Sequence, residues 1–233
     1  RSVRIPRDVH RWFPPDLSGA AELQRSLAAR VIEEDRLDEP RIVAGADLSY
    51  DRKERLLFAA VVAFDARTRE RIATGRYVGP VTVPYVPGFL SFREGPGVIA
   101  ALADLDLVPD LLLCDGQGRA HPRRLGLACH LGLALDLPTI GVAKSVLVGE
   151  YREPSSRRGS ATRLVHRGEV VGLALRTRDG VRPVYVSVGH RVSLGTARRI
   201  VLSWARRYRL PEPLRAAHHE VTRMRRARVS SSP

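Results

Sequence analysis

Two short apolar runs of this sequence each end on a carboxylate: Ile42-Val43-Ala44-Gly45-Ala46-Asp47 and Leu111-Leu112-Leu113-Cys114-Asp115. If both runs are neighbouring central strands, Asp47 and Asp115 converge at one edge of a sheet, where their mutual repulsion needs a cation to offset it. Glu94, expected near the start of a helix, supplies a third acid. Hard oxygen donors of this kind suit Mg²⁺ or Mn²⁺, and one or two such ions could activate water and stabilise a leaving oxyanion in phosphodiester hydrolysis. Taken singly, each acid is better read as a strand-end cap or a solvated turn. Their joint placement is what points to metal chemistry.

Other groups stand within reach of such a site. Lys144, in Gly141-Val142-Ala143-Lys144-Ser145, lies just past an expected strand and could steady the attacking water or a phosphate oxygen. Lys53 and Lys144 are the only lysines in a chain whose Lys and Arg total 39. Where arginine is used almost everywhere, a lysine in a motif suggests that a compact ammonium is required and a planar guanidinium will not fit. His121 precedes Pro122 after a glycine loop, at an expected helix N-terminus near Asp115. It suits phosphate contact or proton transfer, and equally a capping or packing role. His190 and His218 are weaker candidates of the same kind.

Pro84-Tyr85-Val86-Pro87-Gly88-Phe89-Leu90 is a stiff segment carrying an aromatic ring. Pro84 and Pro87 fix their own φ and bias the residues before them toward extended conformations. A ring held that way can enter between nucleic-acid bases without first being ordered. Gly88, Gly116 and Gly118 allow backbone to approach a flat ligand, although each alone is better read as turn geometry. Gly116-Gln117-Gly118 is not a dinucleotide fingerprint, because the third glycine and the following helix pattern do not fit.

The elements that must position these residues follow from periodicity. Helical spacing runs from Asp16 to Arg36, through Leu17, Ala20, Leu23, Leu27, Val31 and Ile32. Three extended runs, Arg41 to Ser49, Leu56 to Asp65 and Glu70 to Val78, predict an antiparallel meander. A helix is expected from Phe92 to Leu105, then a strand at Leu111 to Cys114, apolar on every residue and so buried on both faces. A helix over Pro122 to Leu135 leads to a parallel strand over Pro138 to Val142; further strands are expected at Val170 to Leu175 and Val184 to Val188, and a helix at Leu194 to Arg207. The pattern predicts one α/β domain over residues 1–223, a mixed sheet of three antiparallel strands and then parallel strands flanked by helices, with a basic, disordered tail over 224–233.

Composition narrows the function classes. A net charge of +14 and a pI of 11.0 point to a polyanionic partner, with nucleic acid ahead of membrane because no basic amphipathic helix stands out. A GC-rich genome also favours arginine. No run approaches the roughly 20 apolar residues of a membrane span. Arg1 to Pro15 lacks the apolar core of a signal peptide, and Cys114 and Cys129 have no zinc-ligand spacing. The expectation is a reduced, cytoplasmic protein.

Taken together, Pro84-Tyr85-Val86-Pro87-Gly88 with Glu94, Asp115-Gly116-Gln117-Gly118 with His121, and Gly141-Val142-Ala143-Lys144-Ser145 resemble the endonuclease V family of deoxyinosine 3′-endonucleases. The resemblance is in order and nearly full-length, from Asp47 to Leu210-Pro211-Glu212-Pro213. It implies a ribonuclease H-like fold with Asp47, Glu94 and Asp115 as metal-binding acids, Mg²⁺ as cofactor and Mn²⁺ as a substitute. It also implies that Lys144, His121 and His218 serve the phosphate and metal region. Tyr85 is then the wedge that fills the place of a displaced base, and Pro84, Val86, Pro87, Gly88, Leu90, Gly116 and Gly118 complete the DNA-binding wedge and base pocket.

The implied substrate is deoxyinosine-containing DNA, cut by a monomer at the second phosphodiester bond 3′ to the lesion to leave 3′-hydroxyl and 5′-phosphate ends. Hypoxanthine presents an O6 acceptor where adenine has an amino donor, and lacks the 2-amino group of guanine, so a tight pocket of backbone N–H groups would suit it. Inosine in RNA stays open as a substrate, because a 2′-hydroxyl contact is a matter of local geometry. Two other readings stand beside this one: another ribonuclease H-like nuclease with a different lesion, and a non-catalytic nucleic-acid binding module. Val86 stands where isoleucine is expected in many relatives, and the arginine-rich end beyond His219 has no assigned counterpart.

Overall fold

The protein is described by a computed structural model covering residues 5–51, 53 and 55–230. Strands β1 (Ile42–Asp51), β2 (Leu56–Asp65) and β3 (Arg71–Pro80) pair antiparallel, as the meander pattern predicts. The β2–β3 turn forms because the Asp65 carboxylate accepts from the N–H groups of Arg67 and Thr68 at 2.8 and 2.7 Å. Strand β4 (Leu111–Asp115) lies parallel to β1, and β5 (Thr139–Ala143) parallel to β4.

Three more strands, β6 (Ala161–His166), β7 (Glu169–Leu175) and β8 (Val184–His190), complete an eight-stranded sheet in the order β3-β2-β1-β4-β5-β8-β7-β6. The mixed sheet is as expected, but its parallel part ends at β5, since β8 pairs antiparallel with β5 and β7 and β6 follow antiparallel. Strand β6 was not foreseen. It is an edge strand carrying Thr162, Arg163 and His166, so no sustained apolar pattern marks it.

Helices α1 (Val9–Trp12), α2 (Ala20–Ala28), α3 (Leu90–Ala103), α4 (Leu127–Leu135), α5 (Leu194–Trp204) and α6 (Glu212–Ser230) cover the sheet. Leu112 and Cys114 face a core with Val98, Ile99, Leu102 and Leu131 from α3 and α4. Leu111 and Leu113 face a second core with Val201 of α5 and Leu214 and Ala217 of α6. The all-apolar β4 run therefore serves two cores, which is why it shows no alternation. Both cysteines are buried free thiols, and no helix among the described residues is long and apolar enough to cross a membrane.

Three expectations shift. The helical pattern over 16–36 forms a helix only across Ala20–Ala28, because the chain beyond it is bound to β8: Arg191 N–H donates to the Ile32 carbonyl at 2.7 Å, and Ile32 N–H to His190 Nδ1 at 3.2 Å. The helix expected from Pro122 begins at Leu127, after Arg124 adopts φ +59. The tail expected to fray from Met224 instead continues α6 to Ser230, and Met224 packs against the buried cluster of Phe58, Ala60 and Val221; residues 231–233 lie outside the described part.

Candidate active site

Parallel pairing of β1 and β4, with Ala46 opposite Cys114, places Asp47 and Asp115 side by side. Asp115 ends β4, whereas Asp47 lies within β1, which stays paired with β2 as far as Asp51 rather than ending on the carboxylate as the apolar run suggests. Asp47 is buried; its Oδ1 accepts from Leu48 N–H and its Oδ2 meets His218 Nδ1, each at 2.8 Å. His218 reaches it because α6 starts directly on β1. A side chain on Gly45 would strike the Pro213 backbone, so glycine there permits the approach. Asp115 is ion-paired with Lys144, which follows β5 next to it. Glu94, in the second turn of α3, is buried, and its Oε1 accepts from the Tyr50 hydroxyl at 2.8 Å. The Arg93 guanidinium lies 4.2 Å over the Tyr50 ring.

The three acids share one electrostatic field. Burial raises Asp47 to about 6, and the charge of Asp115 adds to the shift while Lys144 and His218 oppose it. Burial raises Glu94 to about 8; the Tyr50 hydrogen bond opposes this, and the charges of Asp47 and Asp115 add to it. Burial and the Glu94 charge push the Tyr50 phenol upward, so it remains a donor. Oxygen-donor acids whose ionised form is disfavoured by burial and by a neighbouring carboxylate, as at Asp47 and Glu94, are the chemistry a hard divalent cation suits. Among the described residues, however, no three His, Cys, Asp or Glu side chains are grouped to hold one ion. The anionic oxygens face Lys144 and His218 instead, so one ion touching all three acids requires these contacts to rearrange.

Tyr85 is 66% exposed, on a loop anchored at both ends. Before it, Val83 is buried with Ala20 and Phe92. After it, Gly88 adopts φ +81 and its carbonyl accepts from Gln24 Nε2 at 3.0 Å, His121 Nε2 at 3.0 Å and Arg123 Nη2 at 2.7 Å. Gln24 in turn accepts from Arg123 Nε, and the Arg123 guanidinium covers the Phe89 ring at 4.3 Å. The turn Val86 to Phe89 closes through Phe89 N–H to the Val86 carbonyl at 3.0 Å. Pro84 and Pro87 are exposed, and Leu90 is partly exposed beside them.

The remaining candidates divide. Gly116 stays at the sheet edge beside Asp115, while Gly118 is buried and its N–H donates to Ser187 Oγ at 2.8 Å. A side chain on Gly118 would strike the Val188 carbonyl, so packing against β8 already requires glycine there. His121 is buried with both ring nitrogens engaged, since Nδ1 also accepts from Arg123 N–H at 3.2 Å. Burial and the Arg123 charge lower it to about 4, so the ring is neutral. His190 pairs with Thr139 at the start of β5, the end away from Lys144, and does not join the acids.

Sequence reasoning missed Tyr50, Gln24 and Arg123. Gln24 had one available signal, a polar residue on the buried stripe of Ala20 and Leu27. Arg123 had none in so arginine-rich a chain.

The Endonuclease V family model matches residues 25–219. An endonuclease V of Azotobacter vinelandii is 50% identical over 206 residues, covering 88% of this chain and 93% of the relative. The crystal structure of endonuclease V from Streptomyces avermitilis matches with a TM-score of 0.89 at 44% identity, covering 98% of this chain and 100% of that one. Endonuclease V of Ciona intestinalis, solved with a 24mer DNA containing an inosine followed by a ribo-adenosine, matches with a TM-score of 0.77 at 25% identity, over 91% of this chain and 98% of its own. With sequence and fold matched over most of its length, this chain belongs to the endonuclease V family of nucleases.

Proposed function

We propose that this endonuclease nicks DNA containing deoxyinosine at the second phosphodiester bond 3′ to the lesion, with Asp47, Glu94 and Asp115 as ligands of Mg²⁺ or Mn²⁺. The family membership supports a DNA repair endonuclease acting on inosine-containing nucleic acid. The observation that carries the site assignment is the burial of Asp47 and Glu94 within the field of Asp115, which parallel pairing of β1 and β4 sets beside Asp47.

The reaction adds water oxygen to phosphorus and breaks the bond from phosphorus to the 3′-oxygen. A bound divalent ion would supply Lewis-acid stabilisation of that leaving oxygen and lower the pKa of water. Lys144, half-exposed beside Asp115, offers ammonium N–H donors to a non-bridging phosphate oxygen. His218 touches Asp47 from the solvent side and orients its carboxylate.

Lesion reading falls to the loop that leads into α3, the helix of Glu94. Tyr85 enters the duplex where the base leaves, and the fixed backbone at Gly88 with Gly116 forms the wall on which hypoxanthine is read. Rotating the base out costs a few kcal/mol, least where it is mispaired. His121 holds the Gly88 peptide in place, a positioning role that suits its neutral, fully engaged ring.

The test is nicking of an inosine-containing duplex oligonucleotide by purified protein with Mg²⁺, run beside an adenine control and a matched inosine RNA. The expected product is a single nick one nucleotide beyond the lesion, in the inosine strand only. An intact inosine substrate, or equal cutting of the control, would overturn the reading. Preferential cutting of the RNA would move the substrate to inosine-containing RNA.

A further inference from the structure

Glu220 on α6 is buried at 5% exposure, yet it faces three guanidiniums: Arg76 Nε at 2.6 Å, Arg223 Nη2 at 2.5 Å and Arg71 Nη2 at 3.5 Å. One carboxylate among three permanent cations leaves two positive charges uncompensated within the cluster. The side chains of Arg71, Arg76 and Arg223 are 43%, 42% and 65% exposed; Arg71 Nε donates to Thr74 Oγ1 at 2.8 Å, and the other N–H donors not spent on Glu220 stand toward solvent. Blocking edge-to-edge pairing would explain arginines on β3, an edge strand. It would not explain a buried carboxylate that gathers them with a third arginine from α6.

The cluster is continuous with the acids. His218, His219, Thr222, Arg223 and Arg226 line an open depression of about 650 Å³, and His218 is the residue that meets Asp47. The opposite face of α6 is fixed, because Leu214, Ala217 and Val221 are buried against the sheet. From His218 to Arg226 the helix rises roughly 12 Å, at about 1.5 Å per residue. That length covers roughly three to four phosphates of one strand at about 3.4 Å each along a duplex axis. Glu220 and Arg223 lie just past residues 25–219, the span matched by the family model.

We propose that Arg71, Arg76 and Arg223, gathered by Glu220, form a phosphate site that holds the nucleic-acid backbone beside the scissile bond. The guanidinium edges turned away from Glu220 take the phosphate oxygens, and the surplus charge makes this binding independent of base sequence. The site rests on the reading of the protein as a nuclease of inosine-containing DNA.

The test is fluorescence-anisotropy binding of a duplex with and without inosine, over about 50 to 200 mM KCl, for the wild type, R223Q and R76Q/R223Q. Each lost phosphate contact should reduce the slope of log affinity against log salt by about 0.9. The expected result is a slope smaller by roughly one for R223Q and by up to two for the double variant, on both duplexes alike, with R223K restoring most of the slope. Unchanged slopes, or a loss confined to the inosine duplex, would overturn the proposal. Arg223 is exposed, so R223Q alone decides the matter if the double variant fails to fold. If the wild type fails to nick inosine DNA, the functional reading falls, while the slopes on inosine-free duplex still judge the phosphate site.

Discussion

The imidazole of His121 is tied to the carbonyl of Gly88: Nε2–H donates to that oxygen at 3.0 Å, while Nδ1 accepts from the Arg123 N–H at 3.2 Å. A ring used at both nitrogens and lowered to about 4 by burial and the Arg123 charge has no proton to exchange near neutral pH. Its location beside the proposed base pocket makes it a support for the lesion-reading loop. Gln24 and Arg123 converge on the same carbonyl, so the peptide after Gly88 is held from three directions.

Removing that support should alter recognition more than chemistry. His121→Ala leaves buried partners unpaired and should cost about 1–3 kcal/mol of stability. We expect KM for the inosine oligonucleotide to rise and the pH–rate profile to keep its shape. A displaced acid limb in that profile would instead make His121 a proton carrier.

Tyr85 is exposed on an anchored loop, so Tyr85→Ala should leave the melting temperature near that of the wild type. Binding of inosine-containing duplex should weaken by on the order of 1–3 kcal/mol if the ring stacks on bases. Equal affinity and equal discrimination against adenine would remove the wedge role.

The acids can be tested without turnover. Burial keeps Glu94 protonated up to about pH 8, against an ordinary carboxyl near 4.5. The folded state thus binds the extra proton between those values, and this contribution to stability is lost as pH rises through the window. Glu94→Gln should therefore raise the metal-free melting temperature at pH 8 relative to the wild type, while abolishing nicking. Added Mg²⁺ should stabilise the wild type by mass action, and should not stabilise Asp47→Asn or Asp115→Asn. A Mg²⁺ shift of wild-type size in either aspartate variant would remove that acid from the ligand set.

His130 gives the opposite pH sign. It is fully buried, with Nε2–H donating to the Trp12 carbonyl at 2.7 Å and Nδ1 facing Ser91 Oγ at 2.9 Å. Burial lowers it to about 3 from an ordinary 6.5. The unfolded chain takes up a proton that the folded one refuses, so this contribution is present above 6.5 and is lost as pH falls toward 3. Urea denaturation at pH 7, 6 and 5 should show the wild type losing up to about 1.4 kcal/mol per unit more than His130→Gln. Asp47 and Glu94 act with the other sign in both proteins and cancel in the comparison. Parallel pH profiles would show that the His130 ring takes up its proton without unfolding.

Much of this protein was legible in the sequence. The acid that ends β4, the proline-bounded ring, the meander and the twice-buried β4 run are written in adjacent residues, because side-chain period and restricted φ act locally. The resemblance to a family named the likeness that the comparisons bear out.

Tertiary structure decided what joins these pieces. Asp47 and His218 are 171 residues apart and meet only because Gly45 lets α6 rest on β1. Gln24 from one part of the chain and the segment of His121 and Arg123 from another converge on Gly88. Glu220 gathers arginines of β3 and α6 that no periodicity relates. Such contacts depend on the order of strands in the sheet and on where each helix lands. A local pattern of side chains carries no record of that order, so these partners became visible only in the folded chain.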